Sequence, residues 1–143
     1  MSHIKRIEVE KETLLKIIQN KGLAALGDTY VNFIYSLAKS QVTGKPQGEK
    51  VPGKILVEAL KSSGLRDSLL PRRLSSHAVS NAAESLLVYV WLHKYISLDE
   101  AVSILSSQLH IENLTSRARE WKQGVHAFTL LLVKIKEMFM VIP

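Results

Sequence analysis

The stretch Lys21-Gly22-Leu23-Ala24-Ala25-Leu26-Gly27-Asp28-Thr29-Tyr30-Val31-Asn32-Phe33-Ile34-Tyr35 decides how the rest of the chain is read. Leu23, Leu26, Tyr30, Phe33, Ile34 and Leu37 recur at steps of three and four. That spacing predicts a helix with apolar residues on most sides, largely enclosed by protein. Asp28 sits in its middle. A carboxylate in an apolar segment is costly to desolvate without a hydrogen-bond donor, a partner charge or a metal. Gly27 costs about 1 kcal/mol relative to Ala in a helix interior, and a small residue there admits a close neighbour. Two unfavourable choices side by side mark either a site or a kinked helix end whose Asp caps the next segment.

Before this helix, Ile4 to Asn20 carries Ile7, Leu14, Leu15, Ile17 and Ile18 among Lys and Glu and reads as an amphipathic first helix, with a short break near Asn20-Lys21-Gly22. After it, Gln41 to Gly53 (QVTGKPQGEKVPG) holds three Gly and two Pro and is expected to be a loop. Its Lys45 and Lys50 are either phosphate contacts or charges on a solvated connector. Gly53 to Ser63 reads as a short helix with Ile55, Leu56, Ala59 and Leu60 inward, stopped by Gly64. Leu65 to Leu74 is a turn or short helix broken by Pro71, and Arg72-Arg73 offer a second pair of phosphate contacts or two exposed turn charges.

Ser75 to Tyr95 is a second apolar helix, covered on most sides by Val79, Ala82, Ala83, Leu86, Leu87, Val90 and Trp91. His77, Asn81 and Glu84 fall at i, i+4 and i+7, within roughly 60° of one another at 100° per residue. They form one polar stripe, which is either a solvent face or the lining of a site. Ser97 with Glu100 makes a capping box for a helix to Leu109. Glu112 to Met140 is long and periodic, with Gly124 as a kink or a point of close packing. No stretch shows strand alternation with hairpin turns, so the expectation is an all-α chain forming one domain over residues 1–143.

Composition narrows the function. The 143 residues are 46% hydrophobic and 22% charged, enough for one domain with a real core. No apolar run is long enough for a bilayer, and Met1 to Glu12 is too charged for a signal peptide, so a cytoplasmic location is expected. The absence of Cys excludes disulfides, thiolate metal sites and a Cys nucleophile. The net charge of +6 is compatible with a polyanion partner. Without strands there is neither a phosphate-binding Gly-rich loop after a strand nor a Ser at a strand-to-helix elbow. His3, His77, His93, His110 and His126 lack zinc spacing, and burial of the two central helices leaves no obvious DNA-recognition helix. What remains is acidic. Asp28 and Glu84, facing each other across a helix pair, would repel unless a cation lay between them. Oxygen-only ligands point to Mg²⁺ or Mn²⁺, and in a basic protein that chemistry suggests phosphoryl transfer or phosphodiester hydrolysis.

The two central helices together resemble the endonuclease domain of the ribonuclease III family. That family's signature, E-R-L-E-F-L-G-D, aligns with Lys21-Gly22-Leu23-Ala24-Ala25-Leu26-Gly27-Asp28, keeping Leu-x-x-Leu-Gly-Asp. Its second motif, D-x-x-E-A-L-I-G-A-I-Y-L, aligns with Asn81-Ala82-Ala83-Glu84-Ser85-Leu86-Leu87-Val88-Tyr89-Val90-Trp91-Leu92. Ser97-Leu98-Asp99-Glu100-Ala101 is similar to the start of the family's next helix, and the likeness runs from about Lys21 to Leu105. It is nearest to compact members made of the nuclease domain alone, of Mini-III or archaeal type.

The resemblance implies an all-helical homodimer whose valley holds double-stranded RNA. It implies Mg²⁺ (or Mn²⁺) at Asp28 and Glu84, with Asn81, where many members have Asp, assisting. Lys45, Lys50, Arg72, Arg73 and His77 are then expected to meet RNA. The function implied is Mg-dependent endonucleolytic cleavage of double-stranded or structured RNA. With no room for a separate double-stranded-RNA-binding domain, affinity must come from this domain or a partner. Two family carboxylates are replaced by Lys21 and Ala24, and Asn81 brings no charge. These departures keep open a catalytically weak or inactive relative that binds RNA or a ribonucleoprotein as a structural component. A helical protein-interaction domain without an RNA role is the third reading.

Overall fold

A computed structural model of the protein describes residues 6–142. Among these, seven α-helices and two short strands follow in the order β1 (Ile7–Glu10), α1 (Lys11–Ile18), α2 (Lys21–Thr43), α3 (Gly53–Ser62), α4 (Leu65–Leu69), α5 (Ser76–Leu92), α6 (Leu98–Ser106), α7 (Arg117–Met138) and β2 (Phe139–Ile142), with a 3-10 turn at Ile111–Asn113. The fold is all-α in class, as expected. No helix of the described residues is long and apolar enough to cross a membrane.

The caps are local and follow from the sequence. The Asn20 side chain accepts from the Leu23 N–H at 2.9 Å and starts α2. Gly44, at φ 72°, ends it in the left-handed region that Gly enters without strain. Ser75 and Ser97 cap α5 and α6 by accepting from Ala78 N–H and Glu100 N–H, both at 3.1 Å.

The core is built around α2 and α5. From Val79 to Val88 all residues but Asn81 are buried, so α5 is wrapped by α1, α2 and α3. Its facing surface on α2 is Ala24, Gly27, Val31, Ile34 and Ala38, recurring at three and four residues. Gly27 sets the approach of the two helices. A Cβ there would lie 2.5 Å from the carbonyl carbon of Glu84 and closer still to its oxygen. At Gly124 an added Cβ would stand 3.3 Å from Ile55, so this glycine serves close packing of α7 on α3.

Three expectations need correction. The first helix was expected from Ile4, which lies outside the described residues. Instead Ile7–Glu10 is a strand paired in parallel with Phe139–Ile142, in the register Ile7 to Phe139 and Val9 to Val141. Its alternation is present, with Ile7 and Val9 buried and Glu8 and Glu10 exposed, but its partner lies at the far end of the sequence rather than across a hairpin. Second, α2 is not enclosed on all sides. Leu26 and Phe33 are 44% and 51% exposed, so this side of α2 is uncovered. Third, the segment after α2 begins at Gly44 rather than Gln41, and it is not a free connector. It runs extended and antiparallel along α2. Asn32 Oδ1 accepts from Val51 N–H at 2.7 Å. Ser36 Oγ accepts from Glu49 N–H at 2.8 Å, and Ser40 Oγ from Gln47 N–H at 3.0 Å. Four helical residues rise about 6 Å and two extended residues about 6.6 Å, so every fourth residue of α2 meets every second residue of the strap.

Candidate active site

Asp28 and Glu84 are far apart in sequence and line one cavity of about 660 Å³. Lys21, Ala24, Ala25 and Asp28 come from α2, while His77, Ser80, Asn81 and Glu84 come from α5. Lys50, Val51 and Gly53 come from the strap and the start of α3. The α5 stripe thus runs from the surface inward: His77 is exposed, Asn81 half-buried and Glu84 buried.

Two neighbours orient the carboxylates. The Ser80 hydroxyl donates to Glu84 Oε1 at 3.1 Å, one helical turn away. The Asn32 amide donates to Asp28 Oδ1 at 3.5 Å, also one turn away, while its oxygen holds the strap at Val51. Gly53 lets α3 begin over this layer, since a Cβ there would lie 2.9 Å from Ser80 Oγ. Ser80 and Asn32 were not singled out from the sequence. The signal was available: each stands four residues from one of the two acids.

Burial pushes the Glu84 carboxyl up to about 7. The Ser80 hydroxyl and the Lys50 charge oppose this, while the Asp28 charge and a hydrogen bond with Asp28 add to it. Glu84 therefore keeps its proton to higher pH than an exposed carboxyl does. Among the described residues no three His, Cys, Asp or Glu side chains converge to hold a metal. The donor set is two carboxylates, the Asn81 amide oxygen and a hydroxyl. Such hard oxygens fit a Mg²⁺-type ion, which binds through one or two carboxylates and keeps several waters.

Of the residues expected to meet RNA, Lys50 and His77 join the acidic pair in this cavity. Lys45, Arg72 and Arg73 do not line it. Arg72 borders a separate cavity of about 460 Å³ with Lys61, Arg66, Asp67 and Leu70. Lys21, beyond the expected set, places a second ammonium at the rim. A larger cavity of about 750 Å³ lies on the outer side of α2, but its only ionisable lining residue is Glu49.

A protein-family model described as Ribonuclease III matches residues 21–141, from the first residue of α2 into β2. No curated protein matches the chain.

Proposed function

This chain belongs to the ribonuclease III family, and we propose that it is a divalent-metal-dependent endoribonuclease that hydrolyses phosphodiesters in double-stranded RNA. One observation carries the reading: Asp28 of α2 and Glu84 of α5 share one open cavity. Asp28 and Glu84 would hold Mg²⁺ or Mn²⁺, with Asn81 as a neutral oxygen donor. A bound ion supplies Lewis-acid polarisation of the phosphate and lowers the pKa of water. Ser80 fixes the Glu84 carboxylate in place, and Gly27 keeps the two helices close enough for both acids to act together. Lys50 and His77 meet the phosphates at the cavity, while Lys45, Arg72 and Arg73 contact the duplex backbone further out. Recognition of this kind reads the shape of RNA rather than its sequence.

The family's homodimer follows in this reading from the need for two sites to cut two strands. The exposed Leu26, Phe33, Trp91 and Leu92 offer an apolar face for it.

The second reading, a ribonuclease III fold that binds RNA without cutting it, is favoured by the cation at Lys21 and the uncharged Ala24 and Asn81 around the pair. Incubation with long duplex RNA and Mg²⁺ or Mn²⁺ separates the two. Cleavage by the wild type, lost by at least roughly a hundredfold in both Asp28→Ala and Glu84→Ala, is the expected outcome. Salt-sensitive binding without cuts supports the second reading. Cutting that survives both substitutions refutes the assigned site.

A further inference from the structure

The strap is fastened at a second place that the site itself does not use. Lys39, one turn before the end of α2, is 7% exposed. Its ammonium ion-pairs with Glu49 of the strap and, at 2.8 Å, with Glu120 in the first turn of α7. The Tyr35 hydroxyl donates to the other oxygen of Glu120 at 2.8 Å. A buried cation is costly, and two carboxylates with a phenol is more than a connector needs. Glu49 is next in sequence to Lys50, the strap's charged contribution to the acidic cavity. The backbone on both sides of Lys50 is pinned to α2, at Glu49 by Ser36 and at Val51 by Asn32.

We propose that Lys39 and Glu120 are positioning residues: they clamp the strap onto α2 and so hold Lys50 beside Asp28 and Glu84, where it meets an RNA phosphate. The proposal rests on the nuclease reading for its ligand, and on the strap alone for its mechanics. In this role Lys50 acts by position and charge and transfers no proton. Its backbone is fixed before RNA arrives, so less ordering entropy is lost on binding. A lysine on a free loop would add to affinity but not sit reliably against the acidic pair.

The test is a double-mutant cycle with hydrogen exchange. Lys39→Met keeps the aliphatic stem and removes the charge, and Glu120→Gln, a gentler change, serves if Lys39→Met does not fold. In the folded variant the Glu49 and Val51 amides should exchange roughly tenfold faster, while amides in the middle of α5 keep their protection. Duplex-RNA binding without divalent metal should weaken severalfold in Lys39→Met and in Lys50→Met, each lowering the salt slope by about one. The double variant should bind no more weakly than Lys50→Met alone. Unchanged exchange at Glu49 and Val51, or additive losses in the double variant, overturns the proposal. If the wild type does not bind duplex RNA, the nuclease reading fails, and the clamp is judged by Mn²⁺ affinity and exchange. Lys50→Met should then tighten Mn²⁺ severalfold by removing a like charge, and Lys39→Met should do the same. Mn²⁺ affinity changed by Lys50→Met but not by Lys39→Met overturns the clamp. If Mn²⁺ does not bind either, exchange at Glu49 and Val51 alone decides.

Discussion

At Glu84, burial and function pull in opposite directions. The side chain is 7% exposed, and its carboxyl is pushed up to about 7 by that burial. Relative to the usual value of 4.5, the folded protein holds this proton more tightly than the unfolded chain. The resulting stabilisation is fully present below pH 4.5 and is lost as pH rises towards about 7. Glu84→Gln mimics the protonated form and keeps a partner for Ser80. In metal-free buffer it should therefore be more stable than the wild type at pH 8, by on the order of 2 kcal/mol, and indistinguishable from it at pH 4. Thermal melts at the two pH values check this, and equal Tm at pH 8 would count against a strained carboxylate. Mn²⁺ should reverse the order at pH 8 by stabilising only the wild type. For the same reason, metal affinity of the wild type should rise with pH through about 7.

Between elements, the decisive contact is α2 against α5 at Gly27. Replacing a mid-helix Gly by Ala ordinarily stabilises by up to about 1 kcal/mol. Here the new methyl would meet the backbone of Glu84, which cannot rotate away. Gly27→Ala should thus destabilise by about 2 kcal/mol, the overpacking cost exceeding the propensity gain. Urea unfolding reports the net sign, and a stabilised variant would show that the helices stand further apart. The same contact explains what was legible in the sequence. Gly27 beside Asp28 is a local conflict that only a close partner resolves, and the α5 stripe supplied that partner in Glu84. The cap at Ser97 is equally readable because it acts within four residues, whereas Asn20 reads only as a break although it caps α2. The strap was not readable. Asn32, Ser36 and Ser40 read as ordinary polar positions on a helix, and only a chain segment laid alongside gives their spacing a meaning. Strand β1 was hidden for a related reason: four alternating residues carry little weight when their partner is β2 at the other end of the chain. Periodicity also cannot tell which apolar side of α2 is covered, and so Leu26 and Phe33 read as interior although they are exposed.

For the whole molecule, that exposed side has a consequence. Leu26 and Phe33 stand two turns apart on α2, at 44% and 51% exposure, and Leu37 follows one turn on. Close by, Trp91 stacks on Tyr30 with ring centres 5.4 Å apart, leaving Trp91 37% and Leu92 44% exposed. A monomer would leave these apolar groups in water, whereas pairing of two copies would bury them at about 25 cal/mol per Å². The cation-rich strap and the acidic cavity flank α2, so a pair joined along this side would carry both sites on one body. Phe33→Glu puts a charge at the most exposed of these positions without touching Asp28 or Glu84. Sedimentation at micromolar concentration should give twice the chain mass for the wild type and the chain mass for Phe33→Glu, with the helical circular dichroism of both alike. On duplex RNA, the monomeric variant should lose paired cuts on opposite strands before it loses single-strand nicks, because each chain keeps its own acids. A wild type that sediments as a monomer would remove the dimer from the mechanism, and a dimeric Phe33→Glu would move the interface to another face.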